Sequence, residues 1–209
     1  MDSIAYTIGD NLYLNITNRC TNQCVFCIRY KKKDFNSKYP LWLDKEPTAE
    51  ELLKAIGDPK RYKQIVFCGY GEPTIRLDVI KEVASKIRSQ ITDHRSRQGP
   101  IIRLDTNGHG NLFWGRNILP ELKGLIDSIS ISLNAENAEK YDKVCRSIYG
   151  HKAFDAVLAF IREAKKNIPQ VEVSVVDLPS TDKEKCKKLA EDLGASFRIR
   201  PYYEECYVR

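Results

Sequence analysis

The sequence lacks any long hydrophobic run. No stretch of its 209 residues approaches the roughly 18 apolar residues that a membrane-spanning helix requires. The first residues, MDSIAYTIGD, also lack the basic start and apolar segment of a secretory signal. With 42% hydrophobic and 30% charged residues, the composition is typical of a soluble globular protein. We therefore expect a cytoplasmic protein with no membrane association.

Paired cysteine motifs are scarce as well. The chain has seven cysteines, but it is long enough to bury a core without disulfides. Because thiols stay reduced in the cytoplasm, a group of cysteines there more often indicates metal binding than a disulfide. Cys68, Cys145, Cys186 and Cys206 show no paired spacing. We predict that they are small buried residues, with a second, auxiliary metal cluster as the alternative.

Charge of one sign is only weakly in excess. Lys and Arg number 34 against 28 Asp and Glu, which gives a net charge of +6. This excess is compatible with acidic partners such as a nucleotide, a phosphorylated metabolite, RNA or an acidic electron-transfer protein. The one dense run, at 31–33, is expected to be a solvated loop, so charge alone does not identify a partner.

Predicted strands and helices alternate along the chain. Strands are predicted at 12–16, 64–68, 101–105, 127–133, 171–176 and 197–200. Helices are predicted at 48–56, 77–87, 118–125, 154–164 and 183–193. This alternation indicates a parallel sheet covered by helices, as either an open doubly wound sheet or an incomplete barrel. We find no repeat or domain boundary, and expect a single domain over 1–209.

Unusual sequences follow the predicted strands. The segment 17–46 is a long loop with three cysteines and three consecutive lysines, and such a long connection is uncommon unless it is functional. GYGEPT follows the second strand, TNGHG the third and LNA the fourth. In both candidate folds the chemistry is located at the carboxyl ends of the strands, where these segments lie.

Three thiols lie on one tight loop, at Cys20, Cys24 and Cys27, in the spacing C-x3-C-x2-C. Thiolates are the ligands of iron–sulfur clusters, and one loop can hold three corners of a cube. The missing fourth cysteine would leave one iron open to an outside ligand. Structural zinc is the main alternative, but it normally takes four protein ligands, and no second C-x2-C or H-x3-H is present. The spacing therefore favours a [4Fe–4S] cluster.

The C-x3-C-x2-C spacing after the first strand resembles the signature of the radical S-adenosylmethionine (SAM) superfamily. Further segments, NLYLNITNRCTNQCVFCIR, VFCGYGEPTIRLDV, TNGHGN, SISLNA and VVDLP, are similar to the small subgroup of TatD-nuclease-associated radical SAM proteins. The resemblance implies an α/β fold, a partial (β/α)6 TIM-like barrel with a parallel sheet. It also implies two cofactors, a [4Fe–4S] cluster and S-adenosyl-L-methionine, whose amine and carboxylate chelate the open iron.

The implied chemistry is a radical reaction. An electron passed through the cluster cleaves SAM to methionine and a 5′-deoxyadenosyl radical, and that radical abstracts a hydrogen from the substrate. The cofactors carry the difficult step, and the protein supplies position and excludes water.

The second loop looks like the family's G-G-E-P motif, which receives the amino group of SAM. Its residues are Gly69, Tyr70, Gly71, Glu72 and Pro73, with Tyr70 as a departure from the commoner pattern. Small residues let backbone carbonyls approach the ligand ammonium, and Glu72 can add charge. A simple strand-to-helix turn would explain the glycines but not the order Gly-Glu-Pro.

Two further segments match cofactor-binding positions of the superfamily. Phe26 matches an aromatic position near the adenine, although ordinary packing explains it equally well. Thr106 and Asn107 belong to a T-N-G motif, in which Asn107 would orient the loop beside SAM or substrate and Gly108 suits a left-handed turn.

The remaining candidates lie near the ends of later strands. Ser132 and Asn134 resemble a segment that contacts the SAM ribose and carboxylate, and residues two apart on a strand share a face. Asn134 could instead cap a helix that begins near residue 136. Asp177 and Arg200 are the substrate-binding candidates, and the loop residue His109 could donate a proton.

Three functions stay open at this stage. The first is a radical SAM enzyme acting on a nucleotide, a nucleoside or RNA. The second is an activase that makes a glycyl radical in a protein partner, and the third is a [4Fe–4S] electron-transfer or sensor protein. A flavodoxin or ferredoxin is expected to supply electrons, and the subgroup implies association with a TatD-type hydrolase.

Overall fold

The computed structural model describes residues 3–31, 34–35, 38–91 and 99–202. Its strands are β1 Ala5–Ile8, β2 Asn11–Asn15, β3 Asp34–Phe35, β4 Tyr39–Pro40, β5 Gln64–Cys68, β6 Ile101–Thr106, β7 Ser128–Ser132, β8 Gln170–Val176 and β9 Ser196–Arg200. Its α-helices are α1 Ala49–Ile56, α2 Leu77–Ile91, α3 Gly110–Trp114, α4 Leu119–Leu122, α5 Ala138–Cys145, α6 Lys152–Asn167 and α7 Lys183–Asp192. Among the described residues, no helix is long and apolar enough to cross a membrane. The segment 92–98, part of the lysine run and Cys206 lie outside the described residues.

Seven strands form one sheet in the order β1-β2-β5-β6-β7-β8-β9. The six strands from β2 to β9 in this order are parallel, and β1 pairs with β2 in the antiparallel direction. A doubly wound sheet reverses its strand order at a switch point, whereas here each crossover leads to the next position. The sheet is therefore a partial (β/α)6 barrel, which confirms the predicted fold class and excludes the doubly wound alternative.

The core lies between the outer face of the sheet and the helices that cover it. Alternate strand residues point to that face and have no exposed surface: Ile65, Phe67, Ile102, Leu104, Ile129, Ile131 and Val173. They pack with the apolar face of α2, where Ile80, Val83 and Ile87 are equally buried. Burying each such side chain contributes roughly 1.5–3 kcal/mol. The opposite, concave face of the sheet is left for polar groups.

Helix boundaries follow the local signals in the sequence. The hydroxyl of Thr48 accepts from the Glu51 N–H at 3.2 Å, while the Glu51 carboxylate accepts from the Thr48 N–H at 2.7 Å. This capping box fixes the start of α1 and confirms the helix predicted at 48–56. α7 ends just before Gly194, whose φ of +71° is the left-handed conformation expected after a helix.

Some elements were not predicted from the sequence. The edge strand β1 and the short helix α3 are both additional, and the segment 17–46 contains the small β3–β4 hairpin. α5 was also misplaced: its N-cap is Asn137, whose side chain accepts from the Lys140 N–H at 2.9 Å. The alternative role of Asn134 as a helix cap is therefore wrong. Asn134 lies beyond β7 in a left-handed conformation with φ +59°.

Candidate active site at the carboxyl edge of the sheet

Three free, partly exposed cysteines occupy the loop that follows β2: Cys20, Cys24 and Cys27. This cysteine loop, Thr17–Arg29, lies against the end of α5. The Gln23 N–H donates to the carbonyl of Cys145 at 3.0 Å, and the Val25 N–H donates to the carbonyl of Val144 at 2.9 Å. Backbone pairing to a helix end thus holds the loop even though it contains little regular structure.

Arg29 stabilises the cysteine loop by hydrogen bonds to the backbone of the same loop. Its guanidinium donates to the carbonyl oxygens of Asn18 at 3.1 Å and Asn22 at 3.0 Å. It also contacts the Tyr30 hydroxyl through a short hydrogen bond. A cation placed here stabilises negative charge on the nearby sulfurs.

The ionisation of the three thiols reflects their burial. Burial, with the Glu72 carboxylate as a further cause, raises the pKa of Cys20 to about 12. A hydrogen bond to Cys145, together with burial, raises the pKa of Cys24 well above its ordinary value, and burial raises that of Cys27. The Arg29 guanidinium acts on all three pKa values in the opposite direction. Without iron the thiols are therefore protonated, and iron binding must displace those protons.

Glu72 joins the loop after β5 to the loop after β6. It is 2% exposed, and one carboxylate oxygen accepts from the Thr74 N–H at 3.0 Å and from the hydroxyls of Thr74 and Thr106 at 2.6 Å each. The other oxygen accepts from the Asn107 N–H at 2.6 Å. Burial nevertheless raises the pKa of Glu72 above its ordinary value, because four donors only partly replace water.

The two glycines of the second loop let it contact the cysteine loop closely. A Cβ on Gly69 would lie 2.1 Å from Asn15 Oδ1, and Gly69 has a left-handed φ of +120°. A Cβ on Gly71 would lie 2.4 Å from the carbonyl oxygens of Thr17 and Arg19. The Glu72 N–H donates to that same Arg19 carbonyl at 2.7 Å. Glycine is required here for loop-to-loop contact, a role that the sequence reasoning had given to ligand approach.

Asn107 bridges the third loop to the cysteine loop. Its side-chain amide donates to the Thr21 hydroxyl at 2.9 Å and lies 3.7 Å from Cys20 Sγ. Its side-chain oxygen accepts from the His109 N–H at 2.9 Å. His109 is fully buried, and burial lowers its pKa to about 4, so the ring is neutral.

A cavity of about 230 Å³ opens beside the cysteine loop. It is lined by Tyr6, Phe26, Cys27, Ile28, Phe35, Leu41, Gly69, Tyr70, Val176, Arg200 and Tyr202. Phe26 and Tyr70 present aromatic surface, and burial raises the pKa of Tyr70 to about 12. Five of these eleven residues are aromatic and one is a cation, a combination that suits a ligand with a flat ring and an anionic group.

Arg200 brings Ser132 and Asn134 together. Its guanidinium donates to the Ser132 hydroxyl at 3.1 Å and to Asn134 Oδ1 at 3.3 Å. The two residues meet through this arginine and not through strand alternation, because Asn134 lies outside β7. Asp177 is about half exposed and pairs with Lys183 at 2.8 Å, so its carboxylate is engaged away from the residues that line the cavity.

The cysteines outside the motif that the structure describes differ in their environments. Cys145 and Cys186 are fully buried, as predicted, and Cys145 hydrogen-bonds Cys24 of the cysteine loop. Cys68 is only partly buried, contrary to the prediction, and its thiol contacts the Tyr6 hydroxyl at 3.7 Å. In the part of the chain that the structure describes, no three His, Cys, Asp or Glu side chains converge tightly enough to bind one metal ion. A [4Fe–4S] cluster instead binds each thiolate to a different iron, so it fits thiols that share a loop but stay apart.

The donor set around Cys20 fits such a cluster. Its sulfur accepts from the Asn22 N–H at 3.4 Å and from the Asn107 amide, and Arg29 adds positive charge nearby. Hydrogen bonds of this kind are characteristic of protein-bound iron–sulfur clusters. The sequence reasoning missed Asn15, Thr21 and Arg29, although NITNRCTNQCVFCIR contains all three residues beside the motif.

The fold and the cysteine loop define a class: an open β/α barrel with three thiols at the carboxyl edge of its sheet. The family model described as the Radical SAM superfamily matches residues 14–193. The chain belongs to the radical SAM superfamily and is an enzyme. Its cofactors are those of the family, a [4Fe–4S] cluster and S-adenosylmethionine.

The chain is similar in sequence to several relatives and shares its fold with solved structures. The probable GTP 3′,8-cyclase of Methanocaldococcus jannaschii is 29% identical over 199 residues, covering 90% of this chain and 57% of that protein. A tungsten-containing aldehyde ferredoxin oxidoreductase cofactor-modifying protein of Pyrococcus furiosus is 24% identical over 179 residues, covering 77% of this chain and 46% of that one. The structure of HydG, a maturase of the [FeFe]-hydrogenase, superimposes with a TM-score of 0.61 at 16% identity, covering 95% of this chain and 43% of that chain. The chain spans about half the length of the curated relatives it matches.

Proposed function

We propose that Cys20, Cys24 and Cys27 hold the [4Fe–4S] cluster and that the enzyme uses SAM to abstract a hydrogen atom from a nucleotide or nucleoside. The observation that carries the proposal is the position of the cysteine loop: Cys27 lines a cavity that also contains Phe26 and Arg200. The last cysteine of the superfamily's C-x3-C-x2-C motif is therefore part of the cavity wall.

The cavity residues have separate tasks in this proposal. When bound, the cluster supplies the electron that cleaves SAM and so yields the hydrogen-abstracting radical. Phe26 and Tyr70 would offer aromatic surface to the adenine. The backbone of Gly69, which lines the cavity, would receive the SAM amino group, and Gly71 would support it through its contact with the cysteine loop. Pro73 begins the short 3₁₀ helix that ends this loop and fixes its exit. The aromatic walls exclude water that would otherwise quench a radical.

The residues that follow β7 and β9 at the carboxyl edge of the sheet would recognise an anion. Arg200 presents a guanidinium beside Ser132 and Asn134, a geometry suited to a carboxylate or a phosphate. Either the SAM carboxylate or a substrate phosphate fits this description. Thr106 and Asn107 act behind the cavity by holding the loops, and Asp177 with its partner Lys183 would contact a substrate only at the rim.

The nucleotide class is supported by one relative and one general property. The archaeal relative is named as a probable GTP 3′,8-cyclase, and the present chain carries a net charge of +6. A flavodoxin or ferredoxin would serve as reductant. We also propose that the enzyme belongs to the TatD-nuclease-associated subgroup and has a TatD-type hydrolase as a partner. The proposal includes a cytoplasmic location and a single domain over 1–209.

The proposal is tested with protein reconstituted anaerobically with iron and sulfide. After addition of dithionite and SAM, 5′-deoxyadenosine is quantified by chromatography in the presence of each nucleoside triphosphate and each free nucleoside. We expect slow uncoupled formation that one nucleotide accelerates at least tenfold. Cys186→Ala, which changes a buried cysteine of α7 outside the cysteine loop, is the matched control for Cys24→Ala.

The other outcomes separate the alternatives. Formation that no nucleotide accelerates, but that yields a stable radical on a glycine-rich protein partner, would favour an activase. Formation of the cluster without SAM binding or cleavage would favour an electron-transfer or sensor protein.

A further inference from the structure

A series of hydrogen-bonded polar side chains, most of them buried, lies behind the cysteine loop. It starts at Cys20 Sγ, 3.7 Å from the Asn107 amide nitrogen, which lies 2.9 Å from the Thr21 hydroxyl. The Thr21 hydroxyl is 3.0 Å from Nδ1 of His109, and Nε2 of the same ring is 3.0 Å from the Tyr141 hydroxyl. Four hydrogen-bonding groups thus connect a candidate cluster sulfur to α5.

The inner part of this series is closed to water: Thr21 is 2% exposed, His109 0% and Tyr141 1%, whereas Asn107 and Cys20 are partly exposed. Asn22, at 3% exposure, donates its side-chain amide to the same Tyr141 hydroxyl at 3.2 Å. Buried polar groups must satisfy one another when water is excluded, so the loss of Thr21, His109 or Tyr141 leaves a neighbour without its bond.

The orientation of the Asn107 side-chain amide can be assigned. Asn107 Oδ1 accepts from the His109 N–H, so the amide nitrogen is the atom that faces Cys20 and Thr21. The Thr21 oxygen then accepts from the Asn107 amide. The His109 ring contacts the Thr21 hydroxyl through Nδ1 and the Tyr141 hydroxyl through Nε2, and these two contacts fix the orientation of the ring.

We propose that Asn107 is a positioning residue that donates a hydrogen bond to the cluster sulfur of Cys20, and that Thr21, His109 and Tyr141 hold its amide in place. The inference rests on the proposed function, because it requires Cys20 to be a cluster ligand. Hydrogen bonds to cluster sulfurs are among the factors that set the reduction potential. A donor on sulfur withdraws electron density and favours the reduced cluster, so the Asn107 amide raises the potential at which the cluster accepts an electron.

The test measures the midpoint potential of the reconstituted cluster in the full chain without SAM, by EPR-monitored redox titration, together with iron and sulfide content. Asn107→Ala removes the donor, and Asn107→Asp removes the same donor but keeps the oxygen that accepts from the His109 N–H. We expect both variants to bind full iron and to shift the midpoint to more negative potentials. Asn167→Ala, at the far end of α6, is the matched control and leaves the midpoint unchanged.

A second variant tests the support behind Asn107. His109→Phe keeps an aromatic ring in edge contact with Tyr141 and Tyr149 but loses both ring nitrogens. It should shift the midpoint in the same direction by a smaller amount. If Asn107→Ala does not fold, Asn107→Asp and His109→Phe carry the measurement.

The outcomes distinguish the inference from the proposed function. An unchanged midpoint in folded Asn107 variants with full iron would overturn the inference and leave the cluster assignment intact. A wild-type chain that binds no cluster would instead overturn the proposed function itself. A fall in thermal stability with an unchanged midpoint would assign Asn107 a structural role only.

Discussion

The two halves of the sheet edge are built differently. After β2, β5 and β6, the loops bond to one another: Glu72 accepts from Thr106 and Asn107, and Asn107 donates toward the cysteine loop. After β7 and β9, Ser132 and Arg200 meet at the cavity. In the first half the polar side chains bond one loop to another, whereas in the second half Arg200, which bonds to Ser132 and Asn134, also lines the cavity that a ligand would occupy.

The difference separates positioning from recognition. A cofactor site built from interlocked loops exists before the cofactor arrives, so binding does not have to order it. A site that must accept different substrates needs polar groups that exchange partners. We therefore expect changes in the first half to affect cluster content and folding, and changes in the second half to affect ligand affinity.

The largest effect is expected from Cys24→Ala. Removing one of three proposed ligands should abolish the [4Fe–4S] absorption and all SAM cleavage, because the proposed site binds the cluster through these three thiolates. Far-UV circular dichroism should stay close to wild type, since Cys24 is partly exposed. Retention of a full cluster by this variant would refute the ligand assignment, and Cys186→Ala should behave as wild type.

The next largest effect should follow from Glu72→Gln. The amide nitrogen of Gln, turned toward the Asn107 N–H, places a donor against a buried donor and breaks the link between the second and third loops. We expect a loss of about 3–4 kcal/mol in the free energy of unfolding of the apoprotein, measured with urea. Glu50→Gln, exposed on the first turn of α1, is the control and should change stability by less than about 0.5 kcal/mol. Normal stability of Glu72→Gln with lost SAM affinity would show that Glu72 acts on the ligand instead.

A pH-dependent effect of similar size should come from His109. Burial lowers its folded pKa to about 4, below the ordinary 6.5, so the unfolded chain takes up a proton first as the pH falls. The stability that neutral His109 contributes is present above pH 6.5 and is lost as the pH falls toward 4, by about 3 kcal/mol in all. His109→Phe cannot titrate. Urea unfolding of the two apoproteins at pH 7 and pH 4 should show that the wild type loses more stability, and equal losses would contradict the assignment.

The smallest effect on the protein itself is expected from Arg200→Ala, in the second half. Cluster content and the urea midpoint should stay near wild type, while the Kd for SAM or for the stimulating nucleotide rises about tenfold, roughly 1.4 kcal/mol. Equilibrium dialysis with SAM and, separately, with the nucleotide shows which of the two ligands Arg200 binds. Loss of the cluster in this variant would contradict the expectation that changes in the second half affect ligand affinity and not cluster content.

The barrel order and the cysteine loop were predictable, and the interlocking of the loops was not. Strand and helix patterns at Gln64–Cys68 and Leu77–Ile91 are strong local signals, and the capping box at Thr48 is readable from four letters. Glu72 meets Thr106 across 34 residues of sequence, and no local pattern encodes such a bond. Side-chain partners at this separation depend on how the sheet places its loops.

The individual roles show the same limit. The sequence suggested Glu72 as a charge near SAM, and the structure shows its carboxylate occupied by four protein donors. His109 was only a possible proton donor, and the structure shows a neutral buried ring. β1 was missed because it lies at the edge of the sheet and buries only Tyr6, so its sequence shows no clear alternation of buried and exposed residues.

The most direct test of the account is the EPR spectrum of the reconstituted, dithionite-reduced protein, recorded with and without SAM beside Cys24→Ala. We predict a reduced [4Fe–4S] signal in the wild type that changes shape when SAM is added, and no such signal in the variant. A wild-type signal that is unaffected by SAM, or a variant that keeps the full signal, would contradict the account.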